Sequence, residues 1–375
     1  MKRIVPLALV AAAGLAACSS SSSSKTSSTT AATTPPTSAS VTPTTGNPTA
    51  ATTLSESGSS LLYPFLQLLE TPLTQKYSSV TLAPSAGGSG KGISDAIAGT
   101  VQMGGSDAYL SNSQLSANPG LMNIPIAVSS QAVNYNLPGI TNLKLTGDLL
   151  AKIYQGQVTK WNDPSIASLN PGVTLPSTTI VPVRRVDSSG DTFLFTSFLS
   201  ATNTAWSSGP AFGTTVTWPA APGELTASGN PGMVQTCKAT PGCVAYIGIS
   251  AESTAQSSGL GEAMLQNKAG NFLLSSASTV NAAVQAGSGS IPANLAVSLI
   301  YEPGAQSYPI VNFEYIIVKS KQSSANTALA IADFLTFAID PNGGSSPTYL
   351  SKENFVALPS IVIPKVNTAI ASISS

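Results

Sequence analysis

The stretch that decides the fold reads Ile180-Val-Pro-Val-Arg-Arg-Val-Asp-Ser-Ser-Gly-Asp-Thr-Phe-Leu-Phe-Thr-Ser-Phe-Leu199. Its beginning, Ile180 to Val183, predicts a short strand, and its end, Thr192 to Leu199, predicts a helix. A turn of serine, glycine and aspartate joins the two. A turn that leads into a helix N-terminus offers an anion free backbone N–H groups and a favourable dipole.

Arginine is rare in this chain, because Arg3, Arg184 and Arg185 are the only three among 375 residues. Two of them stand side by side at the end of the predicted strand. Guanidinium is a planar, permanently charged fork that binds carboxylate or phosphate through two parallel hydrogen bonds. The pair therefore predicts an oxyanion site. The alternative is a surface ion pair between Arg185 and Asp187.

Strands followed by glycine-bearing turns and helices recur along the chain. Val80–Ala83 predicts a strand, Gly92–Ala98 the next helix, and Val101–Met103 a strand that runs into a turn at Gly104–Ala108. Further segments continue this alternation of strands and helices: a helix is predicted at Leu149–Tyr154, a strand at Tyr315–Val318 and a helix at Ala328–Ala338. This order is typical of an α/β fold whose ligands lie at the carboxyl ends of strands.

The N-terminus predicts export. Met1-Lys2-Arg3 is positive, and the apolar stretch Ile4–Ala17 is shorter than the roughly 20 residues that span a bilayer. It ends in Leu15-Ala16-Ala17-Cys18, which resembles a bacterial lipobox. We expect a signal peptide over residues 1–17 and an acylated Cys18 that anchors the protein on the outer side of the cell membrane. The alternative is ordinary cleavage near Ala17, which leaves Cys18 a free thiol.

Residues 18–53 combine Cys18 with a Ser/Thr/Ala/Pro-rich tether, which we expect to be disordered because it has almost no large apolar residue. The remaining cysteines, Cys237 and Cys243, flank a Pro-Gly turn. An extracytoplasmic compartment favours a disulfide between them. Two cysteines are too few for a zinc site without other ligands.

Several classes of function are disfavoured. The chain has no histidine, which excludes a Ser-His-Asp triad and a histidine-liganded metal. The stretch Gly87–Gly92 departs from the phosphate loop of nucleotide hydrolases, since Ser85 stands where the first glycine belongs. Charged residues make up 9% and the net charge is zero, which argues against nucleic acid binding. We expect no metal, no cofactor and no catalysis.

The chain resembles the phosphate-binding proteins of phosphate-specific ABC transporters, and most closely the lipid-anchored actinobacterial ones. The resemblance runs from about Leu54 to the C-terminus. The segments that carry it, in order, are Gly58–Pro64, Gly88–Gly92, Gly105–Ala108, Gly156–Pro164 and Arg184–Phe193. Each motif is modest alone, and their order and spacing indicate the family.

The resemblance implies an α/β, two-lobed periplasmic-binding-protein fold of type II, with two crossover strands and the ligand in the cleft between the lobes. Lobe I would comprise residues 54–131 plus 310–375, and lobe II residues 132–309. It also implies a monomer that delivers inorganic phosphate to the permease subunits of an ABC transporter. The implied phosphate ligands are Ser60, the Leu61 amide, Ser89 and Asp107 from lobe I, and Arg185, Ser189 and the amides of Gly190 and Asp191 from lobe II.

Two of the implied ligands, Asp107 and Asp191, are carboxylates, which ordinarily repel an anion. Asp107 is an acceptor-only group, which suits a protonated phosphate and repels sulfate, an anion without a proton. Asp191 either accepts a second phosphate proton or caps its helix. We expect Asp187 to orient Arg185 and both Lys91 and Arg184 to be rim charges. The remaining alternatives are a receptor for another tetrahedral oxyanion, a phosphate-ester hydrolase and a surface adhesin.

Overall fold

The computed structural model of the protein describes residues 41–375, and the predicted signal peptide, Cys18 and the first part of the predicted tether lie outside them. The strands are β1 Thr52–Gly58, β2 Val80–Ala83, β3 Met103–Ser106, β4 Leu121–Tyr135, β5 Lys144–Leu145, β6 Val181–Arg185, β7 Leu225–Ala227, β8 Cys243–Gly248, β9 Gly261–Glu262, β10 Met264–Gln266, β11 Phe272–Leu273 and β12 Val311–Lys319. The helices are α1 Tyr63–Lys76, α2 Ser89–Ala98, α3 Asn112–Ala117, α4 Gly147–Tyr154, α5 Pro164–Ala167, α6 Gly190–Thr202, α7 Thr204–Ser208, α8 Gly229–Ala239, α9 Glu252–Ser257, α10 Ala277–Gly287, α11 Ala325–Ile339, α12 Pro347–Leu350 and α13 Ile363–Ala371.

The main sheet has the strand order β2-β1-β3-β12-β4-β8-β6-β7, with β9 also paired to β4. Strands β1, β2 and β3 are parallel to one another, as are β6, β7 and β8, whereas β12 runs antiparallel to both β3 and β4. The sheet is therefore mixed. A small second sheet has the order β11-β10-β5.

The long strand β4 joins the two halves of the main sheet. Its first part pairs with β12 up to Ser130, and its last part pairs with β8 from Gln131 onward. The change of partner lies beside the predicted lobe boundary between residues 131 and 132. The lobe boundaries themselves stay a prediction.

Helix α6 and strand β8 pack through aromatic side chains beneath the arginine pair. The ring of Phe195 stacks on Tyr246 with centroids 4.6 Å apart, and Trp218 also stacks on Tyr246. The Tyr246 hydroxyl accepts the backbone N–H of Arg185 at 2.9 Å. The apolar face of α6 thus fixes the end of β6, where the arginines stand.

The sequence prediction placed a turn at Gly104–Ala108, and the structure corrects its start, since β3 continues to Ser106. The glycines serve close packing instead. A Cβ at Gly104 would lie 2.3 Å from the carbonyl oxygen of Gly92 on α2. Glycine here lets the helix approach the strand.

The last part of the predicted tether, from residue 41 to Thr53, packs against the folded protein. Pro43 and Pro48 are buried, and the Gly46 amide donates to Asp333 Oδ1 at 2.8 Å. Strand β1 itself begins at Thr52. The composition of this segment is that of a tether, but its backbone N–H groups find partners on α11, which composition does not show.

In residues 41–375, no helix is long and apolar enough to cross a membrane. The predicted disulfide between Cys237 and Cys243 is confirmed, and it ties the C-terminal end of α8 to the start of β8.

Opening this disulfide should lower the free energy of unfolding by about 2–3 kcal/mol, because the short loop loses its constraint on the unfolded chain. Urea unfolding of the wild type with and without reductant measures the effect. The double variant Cys237→Ala/Cys243→Ala is the control, since reductant has no bond to open there. An unchanged midpoint for the reduced wild type would contradict the prediction.

Candidate functional site

Two helix N-termini meet at the carboxyl ends of the strands. Helix α2 begins at Ser89 and α6 at Gly190, and the Gly90 amide donates to the Ser188 carbonyl at 2.9 Å. Glycine is required at position 88, where φ is +90° and a Cβ would lie 2.6 Å from the Ser188 oxygen. The positive ends of both helix dipoles therefore face one point.

Asp107 lies at this point, directly after β3, and is only 2% exposed. Its Oδ1 accepts the Ser59 hydroxyl, and its Oδ2 accepts the Ser89 hydroxyl at 3.3 Å. The Asp107 amide in turn donates to Ser89 Oγ at 3.1 Å. Burial, then the charges of Glu314 and Asp191, raise the pKa of Asp107 well above its ordinary value.

Arg185 ends β6 with its side chain buried between two carboxylates. Its Nε donates to Asp187 Oδ1 at 2.8 Å, Nη2 also donates to Asp187, and Nη1 donates to Asp191 Oδ2 at 2.7 Å. Burial alone would raise the pKa of Asp187, but the hydrogen bond and charge of Arg185 lower it. Asp187 therefore orients Arg185, as expected. The pair is not at the surface, because the Arg185 side chain is 1% exposed.

Asp191 is fully buried, and it anchors Arg185 rather than capping α6. Gln131 Nε2 donates to its Oδ1 at 3.0 Å, and Asn230 Nδ2 donates to its Oδ2 at 2.9 Å. The side chain that caps α6 is Ser189, whose Oγ accepts the Thr192 amide. Burial raises the pKa of Asp191, although the charge of Arg185 opposes the rise.

The structure places Ser60 and the Leu61 amide at the other side of this network. Ser60 Oγ accepts the backbone N–H of Asn230 at 3.1 Å. The Leu61 amide donates to Ser59 Oγ at 3.0 Å. Asn230 links Ser60 to Asp191, so Ser60 joins the cluster through a residue that the motifs did not include.

The remaining predicted ligands are backbone groups at the start of α6. The amides of Gly190 and Asp191 lie in the first turn, where N–H groups have no intrahelical acceptor. Gly190 also lies close to Asp107 and Ser89, since a Cβ there would lie 2.3 Å from Asp107 Oδ2 and 2.4 Å from Ser89 Oγ.

The two expected rim charges have partners away from the cluster. Arg184 donates to Glu224 at 3.0 Å and lies over the ring of Trp218. Lys91 pairs with Asp95 one turn along α2, with its side chain 56% exposed. Neither cation contacts Asp107 or Arg185.

Sequence reasoning missed three buried polar residues of the cluster: Gln131, Asn230 and Glu314. Glu314 carried a signal, because it is a charged residue inside the apolar run of β12. Gln131 and Asn230 carried none, since their contacts come from strand and helix positions far along the chain. Within residues 41–375, no group of three or more Asp, Glu or Cys side chains is placed to hold a metal ion.

The substitution Gly190→Ala should lower the free energy of unfolding by about 1–3 kcal/mol, because the new methyl group overlaps Asp107 and Ser89. Gly289→Ala is the matched control, since a Cβ there meets nothing within 4 Å. Urea titration of both variants measures the difference. Equal stabilities would show that α6 does not approach Asp107 as closely as described.

The chain as a whole is similar to known phosphate-binding proteins. The sequence profile of the PBP superfamily domain matches residues 42–342. The phosphate-binding protein PstS of Pasteurella multocida is 33% identical over 320 residues, which are 85% of this chain and 90% of that protein. The phosphate-binding protein PstS3 of Mycobacterium bovis is 32% identical over 309 residues, or 78% of this chain and 79% of that protein.

A solved structure is similar in fold. The phosphate-binding protein from Stenotrophomonas maltophilia matches with a TM-score of 0.63 and 20% identity, over 86% of this chain and 94% of that chain. The predicted α/β periplasmic-binding-protein fold is confirmed. The identities to the Pasteurella and Mycobacterium proteins are nearly equal, so the actinobacterial subgroup stays a prediction. The chain belongs to the PBP superfamily and, within it, to the family of phosphate-binding proteins PstS.

Proposed function

We propose that this protein is an extracytoplasmic receptor that binds inorganic phosphate and delivers it to the permease of an ABC transporter. One observation carries the proposal: the acceptor Asp107 and the donor Arg185 belong to one buried cluster at the meeting point of two helix N-termini. The family of the chain supports it. Binding requires no covalent chemistry, and the proposed role is not enzymatic.

The donors of the cluster suit a tetrahedral anion. Arg185 spends three of its N–H hydrogens on Asp187 and Asp191 and has others to offer. The Ser89 hydroxyl and the amides of Gly190 and Asp191 lie at helix starts, where backbone groups favour an oxyanion. Ser60, the Leu61 amide and Ser189 complete the proposed ligand set, with Ser60 and Leu61 exchanging their present partners for the anion.

Asp107 supplies the selection between anions. As an ionised acceptor it can take a hydrogen bond from a protonated phosphate oxygen, whereas sulfate has no proton to give at neutral pH. A bare sulfate oxygen against an ionised carboxylate leaves two buried acceptors facing each other, which is costly. Asp191 plays a different part, because its oxygens already accept from Arg185, Gln131 and Asn230. We assign it the positioning of Arg185.

The proposed lobes, residues 54–131 plus 310–375 and residues 132–309, are joined through β4 and the segment that leads into β12. Ser89 and Asp107 lie on the first lobe, and Arg185 and Gly190 on the second. Hinged closure of two such lobes would bury the ion and replace its water by fixed donors. The Gly90–Ser188 hydrogen bond would form one of the closing contacts.

The location follows from the N-terminus. A signal peptide over residues 1–17 and an acylated Cys18 would hold the monomer on the outer face of the cell membrane. The disulfide supports this compartment, because such bonds persist outside the reducing cytosol.

Calorimetric titration of residues 41–375, stripped of anion, tests the function. We expect tight one-to-one binding of phosphate and no heat from sulfate at matched ionic strength, because the cluster has an acceptor for the phosphate proton. Heat from sulfate or another oxyanion, with none from phosphate, would show that the other anion is the ligand. No heat from any of the anions would favour the alternative that the protein is a surface adhesin. Release of phosphate from a chromogenic ester would favour a phosphate-ester hydrolase.

The adjacent arginines provide the control for this titration. Arg185→Lys keeps a charge beside Asp187 and Asp191 but removes the fork, so phosphate affinity should fall at least about tenfold. Arg184→Lys should bind as the wild type does, because Arg184 lies on Glu224 and Trp218.

Asp107→Asn should weaken phosphate binding by roughly 10- to 100-fold, the range of one hydrogen bond to a charged group. The same change should let sulfate bind, since the amide can donate to a bare oxygen. Competition between phosphate and sulfate in the wild type and the variant measures both effects. Unchanged discrimination in the variant would remove Asp107 from the selection.

A further inference from the structure

Two aromatic side chains that adjoin the candidate site contact each other. Tyr109 lies two residues after Asp107, and Phe193 lies two residues after Asp191 on α6. Their rings meet edge to face, with centroids 5.5 Å apart and an angle of 83° between the ring planes. By the proposed boundaries Tyr109 belongs to lobe I and Phe193 to lobe II. The contact therefore joins the two lobes beside the ligand set without being part of it.

Each ring is held by its own half of the main sheet. The Tyr109 ring also contacts Tyr315 of β12, at a centroid distance of 6.3 Å, and Tyr315 is fully buried. Phe193 is carried by α6, which is fixed to β8 because Phe195 stacks on Tyr246. The two rings therefore move with different lobes when the lobes part.

A third ring contacts Phe193 from within its own lobe. Phe212 lies 5.6 Å from Phe193 with an angle of 73° between the planes, which is nearly the geometry of the Tyr109 contact. The loop that carries Phe212 is tied to α6, because the Gly213 amide donates to Thr196 Oγ1 at 3.3 Å. Phe212 thus stays with Phe193 whether the lobes are together or apart.

A cavity of about 690 Å³ borders these rings. Its walls come from both proposed lobes, because Tyr109 lines it from the first and Phe193 and Thr214 from the second. Thr214 also connects the cavity to the ligand turn, since its carbonyl oxygen accepts the Ser189 amide at 2.8 Å. Tyr109 and Phe193 are only half-buried. Their contact can therefore break without unpacking the core of either lobe.

We propose that Tyr109 and Phe193 form an aromatic latch between the lobes, and that this latch sets the rate at which bound phosphate is released. An ion in a closed cleft cannot leave until the lobes part, so a contact made only in the closed form slows release. The ion enters the open form, in which the contact is absent, so the latch leaves the association rate unchanged. The effect on phosphate rests on the proposed function, whereas the contact itself does not.

Stopped-flow measurements of phosphate association and release test the latch in Phe193→Ala, Tyr109→Ala and the double variant. Each single change should raise the release rate at least about threefold, the size expected for loss of an aromatic pair. The association rate should stay within about twofold. The double variant should release phosphate within about twofold of the faster single variant, because the second truncation has no contact left to break.

The matched control is Phe212→Ala, which removes a contact of similar geometry that lies inside lobe II. Its release rate should equal that of the wild type within about twofold. Wild-type release rates in Phe193→Ala and Tyr109→Ala, or an equal increase in Phe212→Ala, would overturn the latch and leave the receptor function standing. A wild type that binds no phosphate would instead contradict the proposed function.

A spectroscopic measurement tests the contact independently of phosphate. In protein labelled with 3-fluorotyrosine, the variant Tyr109→Phe identifies the ¹⁹F signal of Tyr109. The ring current of Phe193 acts on this signal while the rings touch, so Phe193→Leu should shift it and Phe212→Leu should not. Such a shift supports the contact even if phosphate does not bind. A Tyr109 signal that does not respond to Phe193→Leu, with or without added phosphate, would overturn the latch.

Discussion

The structure depends on one buried ion pair network, in which Arg185 is held between Asp187 and Asp191. Taking these charges out of water is costly, and removing one partner leaves an uncompensated charge inside the protein. The network is therefore completed by neutral donors. Gln131 attaches Asp191 to β4, and Asn230 attaches it to α8. The starts of α6 and α8, the interior of β4 and the end of β6 are joined at this point, and the candidate site is built on it.

An anion site with so many carboxylates needs a source of positive potential other than net charge. The Arg185 charge is balanced by its own partners, so the potential comes from the N–H groups and dipoles at the starts of α2 and α6. Such a site discriminates by hydrogen-bond type more than by charge. In our account Asp107 accepts a hydrogen bond from a protonated oxygen of the ligand and disfavours oxyanions that have no proton.

Local patterns predicted the parts of the site that are continuous in sequence. The arginine pair and its serine–glycine turn indicated the strand end and the helix start, and the structure places α6 at Gly190, slightly earlier than the apolar run suggested. The pairing of Asp187 with Arg185 could also be predicted from the sequence, because side chains two residues apart in an extended chain lie on the same face and can form an ion pair. Asn230 and Glu314 did not follow, since strands and helices distant in sequence bring them to Asp107 and Asp191. The choice between two roles for Asp191 likewise required the three-dimensional contacts.

Neutron diffraction from crystals of the phosphate complex in heavy water tests the central claim most directly, because it locates both the anion and its deuterons. Our account predicts phosphate between the starts of α2 and α6, bound to Arg185. One of its deuterons should point to an ionised Asp107. Phosphate bound elsewhere, or a deuterated Asp107 that donates to a bare phosphate oxygen, would contradict the account.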